Sequence, residues 1–441
     1  MPEDDPDAAG AHPVPGGRMG RMLRLGGMTS GILGDMMASG VRQIARGERP
    51  SLPAAFLTPA TAARITRDLG RMRGAAMKLG QMLSMDTGLV LPPEMTQVMA
   101  ALRADAPHMP PKQLRDVLNA EWGEGWYGRF ARFDVRPFAA ASIGQVHRAV
   151  TRDGRDLAVK VQYPGVRASI DSDIDNVAAL LRLPGLLPRD MDLGPILDEA
   201  KRQLHCEADY TAEARHLTAF GDLLAGSAAF RLPDLHPDLG TPQVLAMSYV
   251  DSQPIDALVD APQTLRDEVA AHLVDLVLRE LFEFRLMQTD PNLANYRFDP
   301  ASSRVVLLDF GAVMAIDPGL TADFRRLLDV ALDGDRTATR DAMLAIGYFG
   351  KATAPHHQEV ITEMFETAMA PLRQEQPFDF GTAGLVERLR DMGLAMGNER
   401  ELTHVPPPAT LFLHRKIGGI YLLAAKLKAR VRLRPLVERY R

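Results

Sequence analysis

Residues 305–311 read Val-Val-Leu-Leu-Asp-Phe-Gly. Four apolar residues run straight into an acidic turn, the pattern of a buried strand that delivers one carboxylate, Asp309, at its end. Upstream, residues 288–296 read Gln-Thr-Asp-Pro-Asn-Leu-Ala-Asn-Tyr, a second acidic turn with Asp290 and Asn295 five positions apart. An Asp and an Asn, then a strand, then Asp-Phe-Gly constrain the chain more than any other feature. The residue types share one use. Phosphoryl transfer needs a carboxylate to accept a hydroxyl proton, and an Asn and a second Asp to hold magnesium against the phosphates. On that reading Asp290 is the catalytic carboxylate, and Asn295 and Asp309 are the metal pair. An Asp-Phe-Gly tripeptide alone occurs in many turns; the ordered pair of turns is the specific signal. The competing reading is two unrelated strand-end turns.

Composition sets the limits for that chemistry. The chain has 441 residues, 46% of them hydrophobic and 24% charged, which is ordinary soluble globular composition and enough for two to three domain-sized units. Net charge is −5, so nothing points to nucleic acid as a partner. The single cysteine, Cys206, excludes an intrachain disulfide framework and a cysteine-based zinc site, and suits a reducing compartment. Residues 1–17 are acidic and rich in Pro, Gly and Ala, without the basic start and apolar run of a secretion signal. Disorder is expected there. The apolar run at 417–425 is about half the length a spanning helix needs, so no transmembrane helix is expected.

Taken in order, residues 18–49 mix Arg with Met, Leu and Gly. That suits an amphipathic segment on a membrane surface or partner, or a helix packed on its own domain. Residues 53–85 read as a helix, with Thr58-Pro59 as its cap and first turn and Ile65, Leu69 and Met72 at helical spacing. Lys78 and Gln81 share one of its faces. A lysine among Ala76, Met77, Leu79 and Met82 needs a partner if buried; otherwise it reaches out to the surface. Further helices are expected over 92–127.

Then the period changes. Residues 139–150 lead through a turn at Asp153-Gly154 into a strand at 157–161 that ends Val159-Lys160-Val161. This is the hairpin with which a kinase covers the phosphates and reaches them with the lysine of its third strand. Ala139, Ala140 and Ala141 stand where glycines would let the backbone close over phosphates, and only Gly144 is kept. With Ser142, Gln145 and Lys160 they form the candidate nucleotide loop. His147 has no second histidine or carboxylate at ligand spacing and is read as structural. The acidic run 170–175 lacks the Gly and terminal Glu of a calcium loop and is read as a solvated helix start. A helix over 197–220 carries Glu199, Glu207, Asp209 and Glu213. A kinase pairs its lysine with a helical Glu, and spacing leaves Glu207 and Glu213 both open. Residues 243–250, with Met247 and Tyr249, read as the strand feeding the hinge, where backbone groups would meet adenine. Residues 251–288 and the chain after 317 read as helical. Between Gly311 and Pro318 there is no room for the long segment on which peptide-directed kinases seat their substrates. Arg415, Lys416, Lys426, Lys428, Arg430, Arg432 and Arg434 form either a basic surface for anionic lipid or a charged final helix.

Over about residues 50–435 the motifs resemble those of the UbiB-like atypical kinases. The resemblance rests on Lys78-x-Gly80-Gln81, the alanine loop running into Val146-His147, Lys160, Glu207-x-Asp209, Asp290 to Asn295, and Asp309-Phe310-Gly311. It implies an α+β, protein-kinase-like bilobal fold with an N-terminal helical extension folded over the cleft. The implied divisions are a disordered or amphipathic segment at 1–50, the extension at 51–128, an N-lobe with a helical insertion at 129–250, and a helical C-lobe at 251–441. It also implies that Lys160 pairs with Glu213, and that Lys78 and Gln81 meet Glu207 and Asp209 as a regulatory, cleft-occluding set. ATP or ADP and Mg2+ are the implied ligands, with kinase or ATPase activity in support of ubiquinone biosynthesis. A lipid or quinone-precursor ligand and ubiquinone-biosynthesis enzymes are the expected partners; a cytoplasmic location is expected, with the basic ends offering peripheral contact at the inner membrane surface. The phosphoryl acceptor and oligomeric state stay open. Two other readings compete. A nucleotide-binding scaffold is favoured by the alanine loop and opposed by the complete Asp290, Asn295, Asp309 set. A small-molecule kinase leaves Lys78 and Gln81 unexplained.

Overall fold

The computed structural model describes residues 108–181, 194–290, 292–397 and 406–441, with Gly74, Ala75, Lys78 and Leu79 ahead of them. The segment 1–50, Gln81 and most of the helix expected over 53–85 lie outside the described residues. The chain divides into two compact units: residues up to Arg215 with Asp234–Tyr249, and His216–Pro233 with Val250–Arg441.

In the first unit, α1 (Pro111–Trp122) opens on a proline suited to a first helical turn. The antiparallel sheet follows: β1 (Phe130–Phe133), β2 (Ala139–Ala140), β3 (Gly144–Thr151) and β4 (Asp156–Gln162). Its last member is β6 (Val244–Ser248), since β5 (Phe230–Arg231) belongs to the second unit. Strand order is β1-β3-β4-β6, with β2 added to β3. The hairpin register sets Val146 opposite Lys160, and Lys160 opposite Leu245 on β6. Lys160 is therefore carried by an inner strand. Alternate positions on β3 are buried, and Ala149 among them belongs to a core with Leu157, Val159, Val161, Val244, Trp122, Trp126, Phe130 and Phe133. Each such side chain contributes roughly 1.5–3 kcal/mol on leaving water.

Three helices complete the unit's chain: α2 (Val166–Leu181), α3 (Gly194–Glu207) and α4 (Tyr210–Leu223), whose residues from His216 onward belong to the second unit. Two expectations are corrected here. The acidic run 170–175 lies inside α2 rather than at its start; Asp171 and Asp175 are exposed as expected, while Ile170 and Ile174 recur at helical spacing and are buried. Asp173 goes in with them and accepts a hydrogen bond from Ser169 at 2.8 Å. The single helix over 197–220 is two helices. Asp209 breaks it by turning back to accept from the Ala212 N–H at 3.0 Å, capping α4.

In the second unit, residues 251–288 are not helical throughout. β7 (Gln253–Pro254) and a 3-10 turn at Ile255–Asp260 precede α5 (Gln263–Arg279). This helix passes into a π-helical turn, Glu280–Phe284, that stops at Arg285 with a left-handed φ of 52°. β8 (Leu286–Gln288) then leads to the first acidic turn and pairs with β11 (Val313–Ala315). Between them β9 (Tyr296–Asp299) and β10 (Arg304–Leu307) form the sheet β5-β10-β9-β7. The rest is largely helical: α6 (Pro318–Asp333), α7 (Arg336–Ile346), α8 (Pro355–Met369), α9 (Leu385–Gly397), α10 (Pro408–Lys426) and α11 (Arg434–Val437). A short pair, β12 (Phe378–Asp379) with β13 (Arg430–Val431), interrupts it. Asp317 caps α6 by accepting from Gly319 and Leu320. Lys416 departs from the expected basic surface: it is wholly buried on α10 among Phe412, Leu413, Ile420 and Leu423. Among the described residues no helix is long and apolar enough to cross a membrane.

Candidate functional site

In the first unit β4 presents Lys160 and the first turn of α4 presents Glu213. The ammonium donates to both carboxylate oxygens, at 2.8 and 3.0 Å, and lies 5.2 Å from the Tyr210 ring centre. Glu213 is 1% exposed. A buried ion pair gains little net stability over an apolar pair, so its presence points to use rather than to folding. Glu207, at the end of α3, serves a different cation: Lys78 donates to it at 2.7 Å, and the Ser142 hydroxyl also donates to it. Lys78 is 3% exposed, so the partner that a buried lysine requires is present. Asp209 is engaged as the cap of α4.

The loop 139–145 is tightly held. Ala139 and Ala140 pair with Val146 and Gln145, and the Ala141 N–H donates to the Gly144 carbonyl at 2.9 Å. Gly144 has a packing reason to be glycine. A Cβ there would stand 2.4 Å from the Val161 carbonyl oxygen and 3.0 Å from the Tyr210 hydroxyl. Gly74 also lies close to the loop: a Cβ there would stand 2.7 Å from the Ser142 carbonyl oxygen. The Gln145 side chain points inward. Its amide oxygen accepts from the Met109 N–H at 2.9 Å, and its nitrogen meets His147 Nε2 at 2.8 Å. His147 Nδ1 donates to the Asp134 carbonyl at 2.8 Å, and burial lowers the His147 pKa to about 4. On β6, Met247 is buried opposite Ala158; Tyr249 packs edge-on against Phe138 and beneath the Arg148 guanidinium, 4.0 Å from the ring centre.

In the second unit the two acidic turns are tied to each other. Asn295 is buried; its amide nitrogen donates to the Asp290 carbonyl at 3.3 Å, which leaves its oxygen as the acceptor. The Asn295 carbonyl accepts from the Leu308 N–H at 3.1 Å, one residue before Asp309. Asp309 Oδ1 accepts from the Gly311 N–H at 2.9 Å. Phe310 is buried against Phe220, ring centres 4.9 Å apart, and His216 donates to its carbonyl at 3.1 Å. Among the described residues no group of three or more His, Cys, Asp or Glu could hold a metal. Magnesium keeps waters and substrate phosphates as ligands and takes one or two carboxylates from protein, and Asn295 and Asp309 offer hard oxygen donors of that kind.

A hairpin lysine paired with a helical glutamate, and two acidic turns around a strand pair, define an α+β, protein-kinase-like fold. Residues 101–343 match the family model of the ABC1 atypical kinase-like domain. The chain is 37% identical to the mitochondrial atypical kinase COQ8B of Rattus norvegicus, over 96% of this chain and 80% of that protein. It is 34% identical to the mitochondrial atypical kinase COQ8 of Saccharomyces cerevisiae, over 97% of this chain and 86% of that protein. It is 39% identical to the mitochondrial atypical kinase coq-8 of Caenorhabditis elegans, of whose length it spans 56%. The solved structure of the Rv3197–erythromycin complex from Mycobacterium tuberculosis shares the fold: TM-score 0.59 at 24% identity, over 87% of this chain and 96% of that one. The chain belongs to the ABC1 atypical kinase family, the UbiB family of which COQ8 is a member.

Proposed function

We propose that this protein binds Mg-ATP, or ADP, and acts as an atypical kinase or ATPase that supports ubiquinone biosynthesis. The observation that carries the reading is the buried Lys160–Glu213 pair on an inner strand. Lys160 serves the α- and β-phosphates as a point charge, and Glu213 fixes its position. Asp290 positions the attacking hydroxyl or water and takes its proton. Asn295 and Asp309 would hold magnesium, which when bound offsets charge on the phosphates. Lys78, through Glu207, holds the Ser142 side of the alanine loop, so the helix that carries it restrains that loop. Gln81 and Asp209 belong to the same regulatory set. Loop residues Ala139, Ala140, Ala141, Gly144 and Gln145 act through their backbone, as do Met247 and the Tyr249 carbonyl toward adenine, since the Tyr249 N–H donates to the Asp156 carbonyl at 2.8 Å.

Family membership supports the link to ubiquinone synthesis; a lipid or quinone precursor as ligand and peripheral contact with the inner membrane are part of the same proposal. The test is magnesium-dependent ATP hydrolysis by the full chain, with and without anionic liposomes and a phenolic quinone-precursor mimic, using Asp309→Asn as the blank. Turnover that rises with lipid or phenol and disappears in the blank is expected, a loss on the order of 10²–10³ in rate. A second reading, a nucleotide-binding scaffold, is favoured by the alanine loop. Nucleotide binding with no turnover above the blank would select it.

A further inference from the structure

We infer that Gln288, held by the buried Lys416–Glu280 ion pair, is the positioning hub of the two metal-binding turns. The inference rests on the reading of Asn295 and Asp309 as magnesium donors and adds three residues to it.

Lys416 and Glu280 are both 0% exposed. The ammonium donates to Glu280 Oε1 at 3.2 Å and stands 3.1 Å from Oε2. Burial works to lower the Lys416 pKa, and Glu280 and Tyr296 together more than reverse it. The same ammonium donates to Gln288 Oε1 at 3.3 Å and lies 5.6 Å from the Tyr296 ring centre. The Tyr296 hydroxyl also donates to Gln288 Oε1, at 3.2 Å. Two donors on one amide oxygen fix which way the amide faces. Its nitrogen is thereby turned to the Asp309 carbonyl, to which it donates.

The placement in the chain gives this cluster its meaning. Gln288 ends β8, two residues before Asp290. Tyr296 opens β9, directly after Asn295. The third partner is the backbone of Asp309 itself. One side chain thus joins the three segments that carry the three proposed functional residues. Glu280 opens a π-helical turn, an irregularity frequent at functional sites. A buried ion pair is weak evidence of stability, and its best-attested use is to fix one arrangement among several. Residues behind metal ligands orient them, and their loss typically costs about 10–100-fold in metal affinity or activity.

The test uses the full chain and two variants. Gln288→Met removes the hub. Glu280→Gln combined with Lys416→Met removes both charges together, which avoids stranding one buried charge. The readouts are the magnesium concentration that gives half-maximal ADP binding and the melting temperature without nucleotide. Both variants should raise the magnesium requirement by about 10–100-fold, beyond any change in ADP affinity at saturating magnesium. A lower melting temperature with a wild-type magnesium requirement would show a merely structural cluster and overturn the inference. If the double variant does not fold, Gln288→Met decides alone, because it leaves the ion pair in place. Wild type and Asp309→Asn are run alongside. Magnesium-independent ADP binding in wild type would instead overturn the site reading, and the hub with it.

Discussion

Lowering the pH from 7 to 5 should cost the first unit about 2 kcal/mol through one side chain, His147. The Met109 N–H can only donate, so Gln145 turns its amide oxygen to it and presents its nitrogen to His147 Nε2. Nε2 must therefore accept, and Nδ1–H donates to the Asp134 carbonyl. A second proton on the ring would set two donors against each other inside the core. Burial is the largest cause of the lowered pKa, the Asp134 carbonyl opposes it, and His108 adds to it. The unfolded chain takes up its proton as pH falls through 6.5, while the folded one resists until about 4. Stability present above pH 6.5 is thus lost between those values, about 3 kcal/mol in all. The assay is built into the unit. The chain's 2 tryptophans are Trp122 and Trp126, and both pack near Phe133, on which His147 stacks at 5.5 Å. Urea unfolding followed by tryptophan fluorescence should show the loss in wild type. His147→Asn keeps a donor for the Asp134 carbonyl and cannot titrate, so it should lose about 2 kcal/mol less over the same range. Parallel loss in the two proteins would refute the argument.

Two further outcomes follow from local geometry. Gly144→Ala should destabilise the first unit by about 1–3 kcal/mol, seen as a lower urea midpoint, because the added methyl meets the backbone carbonyl of Val161 rather than a side chain that could move. Asp299 accepts from Ser302, from Arg231 and from the Ala301 and Ser302 N–H groups, and its pKa is lowered to about 2. Asp299→Asn should therefore cost about 1–2 kcal/mol near neutral pH, by denaturant titration followed by circular dichroism, with the deficit shrinking as pH falls from about 4 toward 2.

The parts of the fold that were legible in the sequence are those where period and turn chemistry act locally. The hairpin around Lys160 and the strand into Asp309 announce themselves by alternation, an apolar run and acidic turns. The break at Asp209 was missed because a helical hydrophobic pattern continues across it; only the cap shows that the carboxylate turns back on its own backbone. The direction in which a charge faces is not local information. Asp173 looked solvated within an acidic run, yet Ile170 and Ile174 carry its helix inward. Lys416 looked like one more cation of a basic tail. Its partner Glu280 lies 136 positions away in a helix with ordinary charge spacing. The signal that could have found Lys416 is its neighbourhood, Phe412, Leu413 and Ile420, apolar at three and four positions from it and so on its own helix face. Between Glu207 and Glu213 the spacing could not choose, because both sit near the start or end of a helix. Only the three-dimensional contacts choose: Lys160 donates to both Glu213 oxygens, and Lys78 takes Glu207.

The most direct measurement is calorimetric titration of the full chain with ADP at increasing magnesium, for wild type and Asp309→Asn. ADP binding should tighten with magnesium in wild type, and in Asp309→Asn the magnesium effect should be reduced at least about 10-fold. Equal magnesium dependence in the two proteins, or ADP binding indifferent to magnesium in wild type, would contradict the magnesium site.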